Sequence, residues 1–324
     1  MTLFRLTKKQ IIIRLILLAA LLIGGFVWLC VRACPEANYR LQIPPETRDG
    51  NTPDVTQEQE KMLPPPEGYA RIPAAEDSFL HYMRNVLCWP AGSSIMTYDG
   101  KTLSGANAAA VYTLALPDSG YQQCADTIMQ LWSNYFMSTE QYDRIAFSYS
   151  NGYETKFTEW LDGWRYVTVP VIDLTFRMKL AKESIPLTQC DNYMQSVMRY
   201  AGTLSLEAES HPIKPEEAHA GDILCKGGAP GHAVVIVDEA QNDAGERCFL
   251  IAQGFIPSQS AHIIAGAHDS PLGKDCPWYT EEQLSADPVR LSSYTFQPDA
   301  LRRWKDGFPN AADTESKENV NGNS

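Results

Sequence analysis

The sequence predicts an α+β domain, helices packed on an antiparallel sheet, behind one N-terminal membrane-spanning helix. Three observations point there. Residues 11–31 are apolar except for Arg14. Residues 221–253 read as strand, glycine-rich turn, strand and strand. Residues 121–137 and 189–201 carry apolar side chains at helical spacing.

Taken in order, residues 1–10 hold Arg5, Lys8 and Lys9 and no acid. The stretch 11–31 is long enough to cross a bilayer as a helix. Arg14, near its basic end, can snorkel to the interface. The positive flank places the N-terminus inside and the domain in the periplasm or at the cell exterior. Residues 1–34 are thus a membrane anchor or signal segment. Cleavage, giving a secreted protein, is the alternative. Val31-Arg32-Ala33-Cys34 loosely resembles a lipoprotein cleavage box, which gives a third. Residues 35–66, with Pro44, Pro45, Pro53, Pro64, Pro65 and Pro66, read as a disordered linker holding the domain off the membrane. Residues 67–309 form a single domain, and 310–324 a polar, disordered tail.

Inside the domain, residues 79–87 read as a short helix and 95–98 and 108–116 as strands. The turn 117–120 leads into the helix 121–137, where Cys124, Ile128, Leu131, Trp132 and Tyr135 share a face. Asn151-Gly152 marks a hairpin between 145–149 and 153–157. Trp160 and Trp164 read as edge-of-core packing, or as a wall for a sugar or peptide. Thr188 and Gly202 bound the helix 189–201. Ile223 and Leu224 open a strand. Gly227, Gly228, Pro230 and Gly231 turn the chain. Residues 233–237 form a buried strand starting at His232, and 248–252 another ending at Gln253. Residues 301–304 read as a terminal helical turn.

Composition excludes several classes. A net charge of −12 over 324 residues argues against a nucleic-acid partner. Eight cysteines are too few for a disulfide scaffold. Cys225 and Cys248 could pair if their strands are neighbours. No Cys-x-x-Cys or His-x-x-x-His spacing occurs, and the Gly227–Gly231 loop lacks the lysine and helix of a P-loop. No metal and no cofactor is therefore expected.

The chemistry centres on His232. The order Gly221-Asp222, loop, Gly231-His232, apolar strand, then a strand ending in Gln253 resembles papain-like peptidases and amidases of the NlpC type. The resemblance implies that His232 is a general base and that Gln253 orients it. Two cysteines compete as nucleophile. Cys124 lies in the first turns of one helix. Cys190 lies just after Thr188, where a helix N-terminus lowers a thiol pKa, although Asp191 opposes this. Gln122 or Gln123 could donate to an oxyanion. The strings Gln122-Gln123-Cys124-Ala125-Asp126, Tyr200-Ala201-Gly202-Thr203-Leu204-Ser205-Leu206-Glu207, residues 227–238, and Leu250-Ile251-Ala252-Gln253 with Pro257 resemble a bacterial family common in Bacteroidetes, domain of unknown function 4846. That family implies no activity. The expected function is an extracytoplasmic cysteine hydrolase, an amidase or peptidase acting in the cell envelope on cell-wall peptide. The alternative is a catalytically inactive binding module for peptide or glycan, with Trp160, Trp164, Trp278 and the hairpin at Asn151-Gly152 on its contact face.

Overall fold

The computed structural model describes residues 8–47, 56–103, 108–308 and 310. The tail 311–324, Arg5 in the basic flank and Pro53 lie outside the described residues.

The helices that matter for the site are α1 (Lys8–Arg32), α2 (Phe79–Arg84), α3 (Cys124–Ser138), α4 (Cys190–Tyr200) and α5 (Thr203–Ala208). The strands are β1 (Tyr39–Arg40), β2 (Ala108–Val111), β3 (Leu116–Pro117), β4 (Trp164–Val169), β5 (Leu174–Lys179), β6 (Ile223–Lys226), β7 (His232–Asn242), β8 (Arg247–Gln253), β9 (His262–Ile264) and β10 (Leu301–Trp304). A nine-stranded sheet runs from Ser210–Pro212 through β10, β6, β7, β8 and β9 to β2. Its pairings are antiparallel. The mixed α+β character read from the sequence is what the chain adopts.

Strand alternation divides the sheet side chains between two cores. Cys225, Ala233, Val235, Leu250 and Ala252 face α3 and α4. Leu224, Val234, Ile236, Phe249 and Ile251 face the C-terminal segment through Tyr279, Leu291 and Phe296. Helix α3 fixes itself to the first face with Ile128, Trp132 and Phe136, all fully buried. Trp132 stacks on Trp304 at 4.6 Å. Truncating either ring would cost about 3–5 kcal/mol.

Residues 301–304 form β10 and not a helical turn. Leu301 pairs with Leu224, and Trp304 with Ser210. A short apolar run takes its form from the sheet edge that receives it. The segment 35–66 also differs from an extended linker. Tyr39–Arg40 pairs with β3, and Gln57–Glu58 pairs with Leu87–Cys88. Gln59 is fully buried and accepts a hydrogen bond from the Tyr112 hydroxyl at 2.6 Å.

Helix α1 is long and apolar enough to cross a membrane over Ile12–Arg32. Its described side chains are exposed up to residue 28, and it meets the domain only at its last turn.

Candidate active site

His232 opens β7 and Gln253 closes β8. Both lie on the sheet face that packs against the C-terminal segment, in line with Val234 and Ile251. The registry places Gln253 opposite His262 on β9. Their side chains form a buried chain whose polarity can be read from one end. His262 Nδ1 lies 2.9 Å from the Ser260 carbonyl, which can only accept, so Nδ1 carries the proton. Burial pushes the His262 pKa down to about 4, so its Nε2 is a bare acceptor at neutral pH. The Gln253 amide nitrogen therefore donates to that Nε2 at 3.0 Å. Its oxygen accepts from His232 Nε2 at 3.0 Å and from the Ser293 hydroxyl at 2.9 Å. His232 is thus held with its proton on Nε2 and its Nδ1 lone pair free. Phe255, Tyr294 and Phe296 surround the ring, with centroids at 4.7, 4.9 and 6.0 Å. Burial lowers the His232 pKa below the usual imidazole value, against the hydrogen bond to Gln253.

Cys124 reaches the same sheet end from the opposite face. The Asp126 carboxylate accepts the Gln123 backbone N–H at 2.9 Å, which starts α3 at Cys124. The thiol lies against the backbone N–H of Ala233, the residue after His232. That N–H is open because β8 ends at Gln253 and the chain leaves the sheet at Gly254. A Cβ on Gly254 would lie 2.0 Å from Thr127 Oγ1, so only glycine lets the helix start sit this close. Burial raises the Cys124 thiol pKa, and the N–H groups of Ala233 and Ala125 work against it. No hydrogen bond joins this thiol to the His232 ring among the described residues. Both groups are neutral at pH 7.

Cys124 lines a cleft of about 600 Å³ together with Asp126, Arg199, Gly231 and Ile256. The rim carries Tyr121, Leu204 and Ile256, three exposed apolar side chains. Gly231 lines the cleft, and the next residue, His232, does not. A Cβ on Gly231 would lie 2.5 Å from Thr203 Oγ1, so this turn closes onto α5 only with glycine there.

The other sequence candidates divide clearly. Cys190 starts α4, whereas the cleft is lined by Met198 and Arg199 near its far end, roughly 12 Å along the axis. Burial, aided by Asp191, pushes the Cys190 thiol up to about 12. Gln123 lines the cleft and Gln122 does not. Cys225 and Cys248 cannot pair: β7 lies between their strands, and they oppose Ala233 and Ala240 at its two ends. Trp160 and Trp278 are buried, their indole N–H groups donating to Gln189 and to the Pro64 carbonyl. They form no contact face. Sequence reading missed His262, Ser293 and Asp126. The strand registry brings His262 to Gln253, and the bend before Thr295–Phe296 brings Ser293. Asp126 is buried with Oδ1 unpartnered, and burial raises its pKa to about 7.

The fold and this cluster define an α+β domain that gathers a helix-N-terminal cysteine and an amide-oriented histidine at one sheet end. The chain belongs to the family described as domain of unknown function 4846, which matches residues 59–303. No curated protein and no solved structure matches it.

Proposed function

We propose that this chain is a membrane-anchored, extracytoplasmic cysteine hydrolase with a papain-like, NlpC-type arrangement, cleaving an amide or peptide bond in cell-envelope peptide. One observation carries the reading. The Ser260–His262–Gln253–His232 chain fixes the proton on His232 Nε2, and so leaves Nδ1 as a base at the sheet end where Cys124 sits. Neutral His232 takes the thiol proton as sulfur attacks the carbonyl carbon, forming the S–C bond. The backbone N–H groups at the start of α3 and the Gln123 amide are the donors nearest the developing oxyanion. The C–N bond then breaks as His232 protonates the leaving amine. Water, deprotonated by His232, hydrolyses the thioester and restores the thiol.

The test is hydrolysis of cell-wall stem peptides by the full chain, with products read by mass spectrometry. Cys124→Ser and His232→Ala should each lower kcat/KM by about 10³-fold or more, and Cys190→Ser should leave it unchanged. Full activity in His232→Ala would overturn the assignment. The binding-module reading is favoured by one fact, the missing hydrogen bond between thiol and imidazole. It predicts peptide affinity that survives Cys124→Ser with no turnover in the native protein.

A further inference from the structure

We propose that the cleft opens at the bilayer surface, and that its substrate is a lipid-anchored peptide reached along that surface. The first part rests on the contacts of the α1 foot and on α1 lying in the bilayer; the second rests on the hydrolase reading. The chain leaving α1 does not float free. Arg199, which lines the cleft, donates from Nη1 to the carbonyl of Arg32, the last residue of α1, at 2.6 Å. The Ala37 backbone N–H donates to Asn192 Oδ1 on α4 at 2.8 Å. The Tyr39 hydroxyl donates to Gln130 Oε1 on α3 at 3.1 Å and lies 3.9 Å from the sulfur of Met198, another cleft residue. Strand β1 then pairs with β3, just before the segment that leads into Cys124. Ala33 is buried, and Arg165 on β4 lies beside Cys34.

These contacts strap the foot of α1 to the two helices that wall the cleft. With residues 12–32 in the bilayer, the cleft lies within one arginine side chain of the end of the span. Its rim agrees with that location. Tyr121, Leu204 and Ile256 are exposed apolar side chains at the mouth. The Arg199 guanidinium lies 5.4 Å from the Tyr121 ring centroid, so the mouth also carries a cation beside its aromatic side chain. The far end of the same sheet is placed oppositely. Residue 243, in the turn after β7, is exposed and roughly 36 Å along the strand direction from His232.

The experiment compares three cysteines in the full chain, reconstituted in phosphatidylethanolamine–phosphatidylglycerol vesicles and treated with a short-arm maleimide on a lipid headgroup. They are native Cys34, Leu204→Cys at the cleft rim and Asp243→Cys at the far turn. A soluble maleimide reports that each thiol is accessible. The lipid probe should label Cys34 and Leu204→Cys at least ~10-fold faster than Asp243→Cys, through its raised local concentration. A glycine–serine insert of about 20 residues between Cys34 and Pro35, reaching roughly 25 Å, should remove the advantage at Leu204→Cys and leave Cys34 unchanged. Equal labelling of Leu204→Cys and Asp243→Cys by the lipid probe, or an advantage that survives the insert, would overturn the placement. Labelling does not depend on turnover, so it stands apart from a failure of the hydrolase reading. If placement holds, the native chain should cleave a stem peptide carried on a lipid at least ~10-fold faster than the same peptide free, and the insert should abolish that ratio. A ratio near one would refute the lipid-anchored substrate.

Discussion

The buried stretch of β7, residues 232–240, carries polar groups near both of its ends, and the two are built in opposite ways. At one end Asp238 is fully buried and its carboxylate is saturated. Arg84 Nε and the Glu239 backbone N–H bond one oxygen at 2.8 and 2.9 Å, and Arg71 Nε bonds the other at 2.8 Å. The guanidinium groups spend their remaining donors on the carbonyls of Leu63, Ile72 and Glu239. At the other end His232 is held, among the described residues, through one nitrogen only, and across the sheet a thiol lies beside the backbone N–H of the next residue. The first end is closed and does structural work. The second keeps free valences next to a cleft, which is what proton transfer requires.

The largest expected effect breaks the closed end. Asp238→Ala leaves two buried guanidinium groups without their carboxylate and should cost about 3–5 kcal/mol in denaturant unfolding. His232→Gln, which keeps an amide donor for Gln253 and most of the buried volume, should cost only about 1–2 kcal/mol. If the two losses are equal, or reversed, the contrast between the ends fails.

Next comes the second free valence at the open end, Asp126. Its folded pKa is raised by burial to about 7. Between the ordinary carboxyl range and pH 7 the folded state therefore binds a proton that the unfolded chain has released. Stability then falls as pH rises through this window, by roughly 4 kcal/mol in all, and is flat above it. Asp126→Asn keeps an oxygen for the Gln123 N–H and should remove this slope. Unfolding midpoints in urea at pH 4 to 8 measure it, and an unchanged slope in the variant would assign the titration elsewhere.

The smaller effects concern positioning. Gln253→Ala should lower kcat about 10- to 100-fold, because His232 loses the group that holds its tautomer. Gln253→Glu places a carboxylate against the imidazole and raises its pKa. His232 acts as a base only when deprotonated, so the acid limb of kcat/KM should move to higher pH. A limb that stays in place would show that Gln253 does not act through His232. The same reasoning predicts that the native acid limb lies below the ordinary histidine value, since burial lowers the His232 pKa.

Much of this was legible in the residues. The hairpin at Asn151-Gly152 forms as read, with β pairing of Ala146 to Lys156 and Ser148 to Glu154. His232 and Gln253 meet because each sits at a strand end and the strands are joined in sequence by one short turn. Less local features were not legible. Trp160 reads as edge-of-core packing or as a ligand wall, and only the fold chooses the first: it is buried with its N–H on Gln189 and the Arg165 guanidinium 3.9 Å from its ring centroid. Cys190 has the better helix position by sequence, but its burial and its distance from the cleft remove that advantage. Nothing in residues 35–42 announces a strap, since their hydrogen-bond partners lie on α3, α4 and β3.

By itself, then, the sequence determined the apolar helix, the α+β alternation, the glycine turn ahead of His232 and the local pairing of histidine with amide. These follow from periodicity, backbone freedom and short loops, which act over neighbouring residues. Tertiary structure alone decided that Cys124 and not Cys190 reaches the sheet end that His232 opens. It also decided that His262 sets the imidazole tautomer, and that the cleft hangs at the foot of the helix. Each of these depends on which distant elements pack together, and long-range packing leaves no periodic trace in the chain.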